Sequence, residues 1–342
     1  MFKLHIYNPE HDIALGKNDV HFTPPKAARL TRDNFSHIPV FWADEGDWIL
    51  VDEPSIALSK CVNINMGTKV RFVTYNDLKK LTNDDLPGKI EPWGWDKHLV
   101  HRLLKCNPLF APLVPSNEEL ENIRQMSSRE FVAKEILPQL VSKDDSFVGE
   151  TITFKGSVEE LCEIVKRSGS IVLKSPWSCS GRGVKFITCE LTESEKGWVR
   201  NILEEQGGLM IEPNYNNVLD FAMEFHVSER LKTKSAESTF ENEAGSIVTF
   251  MGINIFETHE GKYIRNMGKS NDERLNILNK YIPLSLVEII KEDIINITSE
   301  LFCNNKWISH FGVDMMIVKN AENKIKVHPC VEMNLRRTMG QI

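Results

Sequence analysis

Short apolar runs and a few strict alternations divide the chain into elements. Lys3–Tyr7, Pro39–Ala43 and Trp48–Asp52 are dense in β-branched and aromatic residues and alternate with helical patterns up to about Pro115, so this stretch predicts a small α/β domain. Ser116 with Glu119 three residues later is a capping box and opens a helix. Ile171, Val172 and Leu173 predict a buried strand that ends at Lys174, and Val184, Phe186 and Ile187 around Lys185 predict a second. Ser285–Phe302 has the spacing of a long amphipathic helix. Phe311–Val318 and Ile325–Leu335 predict two more strands, joined by the polar turn Lys319–Lys324. The whole pattern is that of an α/β (α+β) protein with a first domain over 1–115 and a second over 116–342.

Composition narrows the functional classes. The chain has 342 residues, 41% of them hydrophobic, which is enough for the cores of two or three domains. Its 48 acidic against 41 basic residues, net charge −7, argue against nucleic acid or an acidic membrane as the main partner, while a local basic cleft stays compatible. The opening MFKLHIYNPEHD has neither a long apolar segment nor a small-residue cleavage site, and no run elsewhere reaches membrane-spanning length, so the expected location is cytoplasmic. The seven cysteines lack short paired spacings and fit reduced thiols. Cys179 has no base among its sequence neighbours and reads as a loop filler. A homodimer is the default assembly.

The chemistry concentrates in two places. After Lys174 comes a loop with Ser175, Ser178, Ser180, Gly181 and Gly183; glycines let a backbone approach an anion, serines add donors, and the lysine supplies a point charge for a phosphate oxygen. The same loop also reads as a plain hairpin connection. Downstream, a chain folded near Asn323 sets Asp314, nine positions before it, against Glu332, nine after it. Their side chains then stand about 5 Å apart, and Asn334 shares the face by strand periodicity. Opposed carboxylates repel, and a cation coordinated by oxygen ligands relieves that; Mg²⁺ suits such a set, and an ion pair with Arg336 or Arg337 is the competing explanation. Pro329 implies an edge or a bulge that shifts the register.

Strand, Lys174, glycine-rich loop and acidic hairpin ending in Glu332-Met333-Asn334 together resemble the ATP-grasp superfamily of carboxylate-amine ligases, from about Ser127 onward. The resemblance implies an N-terminal pre-ATP-grasp domain, a lid subdomain at about 126–211 and a magnesium-binding subdomain at about 212–342. It implies ATP and Mg²⁺ as cofactors, with Asp314, Glu332 and Asn334 as metal ligands. Met210 and Ile211 would offer backbone groups to adenine, Glu212 would take its amine or the sugar region, and Asp220 or Glu224 the ribose. Arg129, with Lys134 as fallback, stands where relatives carry an early phosphate-binding lysine; arginine clamps phosphate through two donors but is no neutral replacement. Arg265 and Lys269 are further candidates for the triphosphate. Relatives continue past the final Asn with a proline-arginine-proline segment, whereas Leu335–Gly340 differs, so a truncated end or an absent terminal helix is expected, and Arg336 or Arg337 would meet an acyl-phosphate or a substrate carboxylate.

Two sites in the first domain remain ambivalent. Asn8-Pro9-Glu10-His11-Asp12 reads either as a strand-end ligand site or as a complete helix start with Asn8 as cap. Trp93-Gly94-Trp95-Asp96 reads either as a site loop near the domain junction or as packing anchors beside a turn. The expected activity is ATP-dependent ligation of a carboxylate to an amine through an acyl-phosphate. A nucleotide-binding module without catalysis and a small-molecule kinase on the same fold are the alternatives.

Overall fold

The structure is a computed structural model that describes residues 2–63, 69–178, 183–229, 246–259, 262–267, 270–303 and 305–341. The chain divides into two compact units, with the break between Arg124 and Gln125. The first unit holds a parallel sheet of β1 (Lys3–Ile6), β2 (Trp48–Leu50), β3 (Arg71–Val73) and β4 (Lys89–Pro92), in the order β3-β2-β1-β4. Its strands are short; β2 is apolar throughout, while β1 and β4 alternate, with Lys3 paired to Lys89 and His5 to Glu91 on one face.

Two expectations for this unit change. Pro39–Ala43 is not a strand: Ile38–Phe41 is a 3-10 helix with proline in its first turn, where the missing N–H costs nothing, whereas a ladder would have needed it. Asn8 is not the helix cap either. The helix His11–Lys17 begins after Glu10, and the Asn8 side chain donates instead to Gly94 O at 2.8 Å and to Asp96 Oδ2 at 3.2 Å. Asp96 in turn caps the helix Lys97–Cys106 through Leu99 N, so the loop after β4 is tied to the loop after β1 by side chains. The Ser116 capping box is present, with Ser116 N to Glu119 Oε2 at 2.7 Å and Glu119 N to Ser116 Oγ at 3.2 Å.

The second unit contains two antiparallel sheets. The smaller comprises β5 (Ile152–Phe154), β6 (Ile171–Lys174), β7 (Val184–Ile187) and β8 (Leu209–Pro213), in the order β5-β8-β6-β7. Alternation gives it two different faces. Phe154, Ile171, Leu173, Ile187, Leu209 and Ile211 bury themselves with Leu161, Val165 and Val199 from the helices Val158–Ser168 and Glu193–Gln206. Val172, Lys174, Met210 and Glu212 therefore lie on the other face.

The larger sheet comprises β9 (Asn216–Glu229), β10 (Ser246–His259), β11 (Lys262–Met267), β12 (His310–Lys319) and β13 (Ile325–Asn334), in the order β11-β10-β9-β12-β13. Phe221, Met223, Phe225, Ile253, Ile255, Phe311, Val313, Met315 and Ile317 are all buried on one face. The helix Leu284–Leu301 runs against β10 with Leu286, Val287, Ile290, Ile294 and Ile297 buried. Phe225 stacks on Phe311 at 4.8 Å, and Phe302 meets Phe311 edge-on at 5.3 Å, closing this core at one end. Each such buried side chain contributes about 1.5–3 kcal/mol by leaving water. The opposite face of the same strands carries polar groups, and that is where the chemistry lies.

Candidate active site

The register of the large sheet assembles the polar face. Asp314 pairs with Glu332 across β12 and β13, and Gly312 with Asn334. On the other edge of β12, Gly312 pairs with Glu224 and Met316 with Asp220, so Asp220, Glu224, Asp314, Glu332 and Asn334 share one face. The hairpin reaches this register by a route other than a symmetrical fold at Asn323. Lys319 pairs with Ile325 and Met316 with His328, which centres the turn one residue earlier. Between His328 and Glu332 the second strand then carries two residues more than its partner, a bulge at Pro329 where a ladder donor is missing. That bulge brings Asp314 and Glu332 opposite one another.

Asn334 donates to Asp314 Oδ2 at 3.3 Å, and Arg336 donates to Asn334 Oδ1 at 3.0 Å, so the three residues form one chain of polar contacts. Burial, and then the charges of Glu332, Glu224 and Asp220, hold the Asp314 carboxyl well above the usual carboxylate range. This is the signature of acids gathered without enough positive charge among them. The donor set is oxygen only, two carboxylates and an amide, and a hard divalent cation fits it; among the described residues no cluster of three or more His, Cys, Asp or Glu forms a metal site of another kind.

Two cations stand beside these acids. Lys174, 7% exposed at the end of β6, pairs with Glu212 of β8 at 2.5 Å, a diagonal contact on the polar face of the small sheet. Its charge also reaches Asp220, His328 and Cys330 on the large sheet, so the two polar faces look towards each other. Arg129, 8% exposed, donates through Nη1 to Ser175 O at 2.8 Å and Ser178 Oγ at 2.9 Å, and pairs through Nη2 with Glu332. One guanidinium thus joins the loop after β6 to the acid hairpin. Ser128 caps the turn that carries it, accepting from Phe131 N at 3.1 Å. Lys134, the fallback, pairs with Glu130 on the surface.

The loop after Lys174 closes where Ser175 N donates to Gly183 O at 2.8 Å. A Cβ at Gly183 would stand 2.0 Å from Ser175 Oγ, so only glycine permits this approach. Ser180, Gly181 and Cys179 lie outside the described residues, as does Lys269.

Other expected site residues sit differently. Met210 and Ile211 belong to the inner strand β8, paired with Thr153 and Ile152 on one side and Lys174 and Leu173 on the other. Their peptide groups serve these ladders rather than a base, and the Ile211 side chain is in the core. Asp220 is held by Thr258 Oγ1 at 2.5 Å and Asn217 Nδ2 at 2.9 Å, and burial raises its carboxyl. Arg265 pairs with Glu257 at 2.8 Å, is largely exposed, and lies on edge strand β11 with its side chain on the face opposite the acids; the structure does not bring it to them. Arg336 reaches the acids through Asn334, and Arg337 contributes its carbonyl to Arg336 Nη1 at 3.0 Å.

Two residues carry more than the sequence reading gave them. Glu224 is 3% exposed; it accepts from Thr338 Oγ1 at 2.7 Å, its Oε2 has no partner, and burial pushes its carboxyl up to about 7. His328 is 1% exposed with neither ring nitrogen bonded, and burial together with the Lys174 charge brings it down to about 3, so it is neutral. Its even spacing from Glu332 in a strand pattern was the only available signal, and the bulge makes that signal unreliable.

No family model matches the chain, and no curated protein matches it in sequence. Solved structures do match it. Biotin carboxylase from Campylobacter jejuni, in a complex with β,γ-ATP, is 11% identical and aligns over 98% of this chain and 65% of its own, with a TM-score of 0.53. N5-carboxyaminoimidazole synthetase from Staphylococcus aureus, complexed with ADP, is 13% identical over 99% of this chain and 71% of its own, TM-score 0.47. D-alanyl-alanine synthetase A from Vibrio cholerae is 10% identical over 100% of this chain and 90% of its own, TM-score 0.47. The chain has the fold of that biotin carboxylase, the ATP-grasp fold, here an α/β architecture with a parallel-sheet unit preceding two antiparallel sheets in the sequence.

Proposed function

We propose that the chain is an ATP-dependent ligase that joins a carboxylate to an amine through an acyl-phosphate. The observation that carries this reading is the opposition of Asp314 and Glu332, with Asn334 beside them, on a polar face that also feels the Lys174 charge and touches Arg129. Asp314, Glu332 and Asn334 would hold Mg²⁺, which when bound neutralises phosphate charge. Lys174 and Arg129 would bind the triphosphate. Each already has a carboxylate partner, Glu212 and Glu332, so each charge is fixed in position before nucleotide arrives and needs little rearrangement to meet a phosphate oxygen. Ser178, bonded to Arg129, would add a hydroxyl to the phosphate-binding groups. No protein nucleophile is needed, since phosphoryl transfer rests on positioning and charge neutralisation.

The test is ADP and phosphate release with pooled carboxylates and amines, in parent and Glu332→Gln. A ligase needs both substrates for product; a kinase leaves a stable phosphorylated product, and a binding module releases nothing. If Glu332→Gln binds Mg·ATP and turns over as the parent does, the assignment of the acids is wrong.

A further inference from the structure

The three residues that follow Lys174 are held by protein partners at every backbone polar group. Ser175, Pro176 and Trp177 carry five such groups, since Pro176 has no N–H, and all five are engaged. Ser175 N donates to Gly183 O at 2.8 Å, Ser175 O accepts from Arg129 Nη1 at 2.8 Å, and Pro176 O accepts from the backbone N of Arg129 at 3.0 Å. Trp177 N donates to Gln206 Oε1 at 3.0 Å, and Trp177 O accepts from Gln206 Nε2 at 3.2 Å and from Ser175 Oγ at 3.1 Å. A surface loop can leave such groups to water; this one does not.

Gln206 reaches Trp177 because of where the chain enters β8. β6 and β8 are antiparallel with Lys174 opposite Met210, and continuing that register past the strand end brings Trp177 alongside the turn at Gln206–Gly207. Gln206 is the last residue of the helix Glu193–Gln206, and Gly207, at φ +74°, takes the left-handed conformation that ends it. A glutamine amide offers a donor and an acceptor side by side, so here it closes a two-bond ring with Trp177. The tie adds nothing to the apolar core of the small sheet, which contains neither residue. What it does hold is the step between two phosphate-binding groups. Lys174 lies three residues before Trp177, and directly after it comes Ser178, whose Oγ accepts from Arg129 Nη1 at 2.9 Å.

We propose that Gln206 is a positioning residue for the nucleotide phosphates: by gripping both backbone polar groups of Trp177 it sets the Ser178 hydroxyl, and with it the Arg129 guanidinium, where a polyphosphate is received. The assignment rests on the ligase reading and adds to it a residue that touches no substrate. Because Ser178 follows Trp177 directly, rotation of the Trp177 backbone swings its Oγ away from Arg129 Nη1. Arg129 would keep its bonds to Ser175 O and Glu332, but the hydroxyl beside it would be free to turn. Donors fixed before an anion arrives bind it more tightly than donors the anion must order. The adenosine end of a nucleotide draws nothing from Ser178 or Arg129 in this arrangement, so the effect of Gln206 grows with the phosphate chain.

The test is isothermal titration of the full chain in Mg²⁺ with adenosine, ADP and ATP as separate probes. Gln206→Met keeps the length of the side chain without its polar atoms and is expected to weaken ATP by at least about tenfold while leaving adenosine within about twofold, which also shows that the variant is folded. Gln206→Glu keeps the acceptor for Trp177 N and loses the donor, so its loss of ATP affinity should fall between those of the parent and Gln206→Met. Adding Ser178→Ala to Gln206→Met should cost less than about a further twofold, because both changes remove the same contact. Unchanged ATP affinity in both Gln206 variants, equal weakening of ATP and adenosine, or additive losses with Ser178→Ala overturns the assignment and leaves the ligase reading standing. A parent that binds ATP no more tightly than adenosine sinks the phosphate site itself, and the role of Gln206 with it.

Discussion

Glu224 gives the sharpest pH test. Its carboxyl is raised from 4.5 to about 7 in the folded chain, chiefly by burial. That gap corresponds to roughly 3 kcal/mol at 1.36 kcal/mol per pH unit. Because the folded value is the higher one, the folded state holds the proton more tightly. The stability this gives is complete below about 4.5 and disappears as pH rises through about 7. Glu224→Gln cannot titrate, so its stability should fall less steeply than the parent's across that window. Relative to the parent it should gain roughly 3 kcal/mol between the two ends, whatever constant offset the substitution adds. Urea unfolding in EDTA without nucleotide, with amide-exchange labelling read on β9 and β12 peptides, separates this unit from the N-terminal one. Parallel curves for parent and variant across the window would refute the reasoning.

Other consequences are open to direct measurement. Gly312→Ala places a methyl 2.7 Å from Glu224 Oε2 and Thr338 Cγ2 and should destabilise the C-terminal unit by about 1–3 kcal/mol, whereas Gly197→Ala, inside the helix Glu193–Gln206 with no atom within 4 Å of its Cβ, should stabilise by up to about 1 kcal/mol. Urea midpoints compare them. Lys174→Met leaves the buried Glu212 carboxylate without its cation and should cost about 3–5 kcal/mol, with Lys174→Met/Glu212→Leu recovering most of that in the same assay. His328, lowered from 6.5 to about 3, works in the opposite sense to Glu224: its contribution is present above 6.5 and is lost as pH falls through about 3, so His328→Gln should flatten the acid limb of the stability profile. An unchanged acid limb would show that the imidazole is solvated.

Much of the second unit was legible because its elements announce themselves by period. The apolar run before Lys174, the helix in 285–302 and the two final strands all appear, since burial on one face leaves an alternation that a single chain displays. The opposition of Asp314 and Glu332 was legible only in outcome. A turn centred one residue early and a two-residue bulge combine to give the register expected from a symmetrical fold at Asn323. What failed depended on partners remote in sequence. Asn8 looks like a cap until the loop after β4 is beside it, and Arg265 looks like a phosphate ligand until strand pairing sets it against Glu257. Met210 and Ile211 look available until β5 is known to cover their second edge. Nothing local to Glu224 or His328 tells that Glu224 Oε2 and both His328 ring nitrogens are enclosed without partners, because enclosure is a property of the assembled sheet.

The irregularity at Pro329 separates the hairpin into two lengths with independent phase. Residues on the turn side can be lengthened or trimmed as the loop tolerates, so long as Met316 still meets His328. The stretch 329–331 has no such latitude. Loss or gain of one residue there would rotate Glu332 and Asn334 onto the greasy side of the sheet, giving a protein that still folds its turn but has dispersed its acid cluster. Changes by two would keep the side chains facing correctly while sliding the acids along the strand. A short segment outside the acid set thus decides whether descendants of this chain keep Asp314, Glu332 and Asn334 on one face.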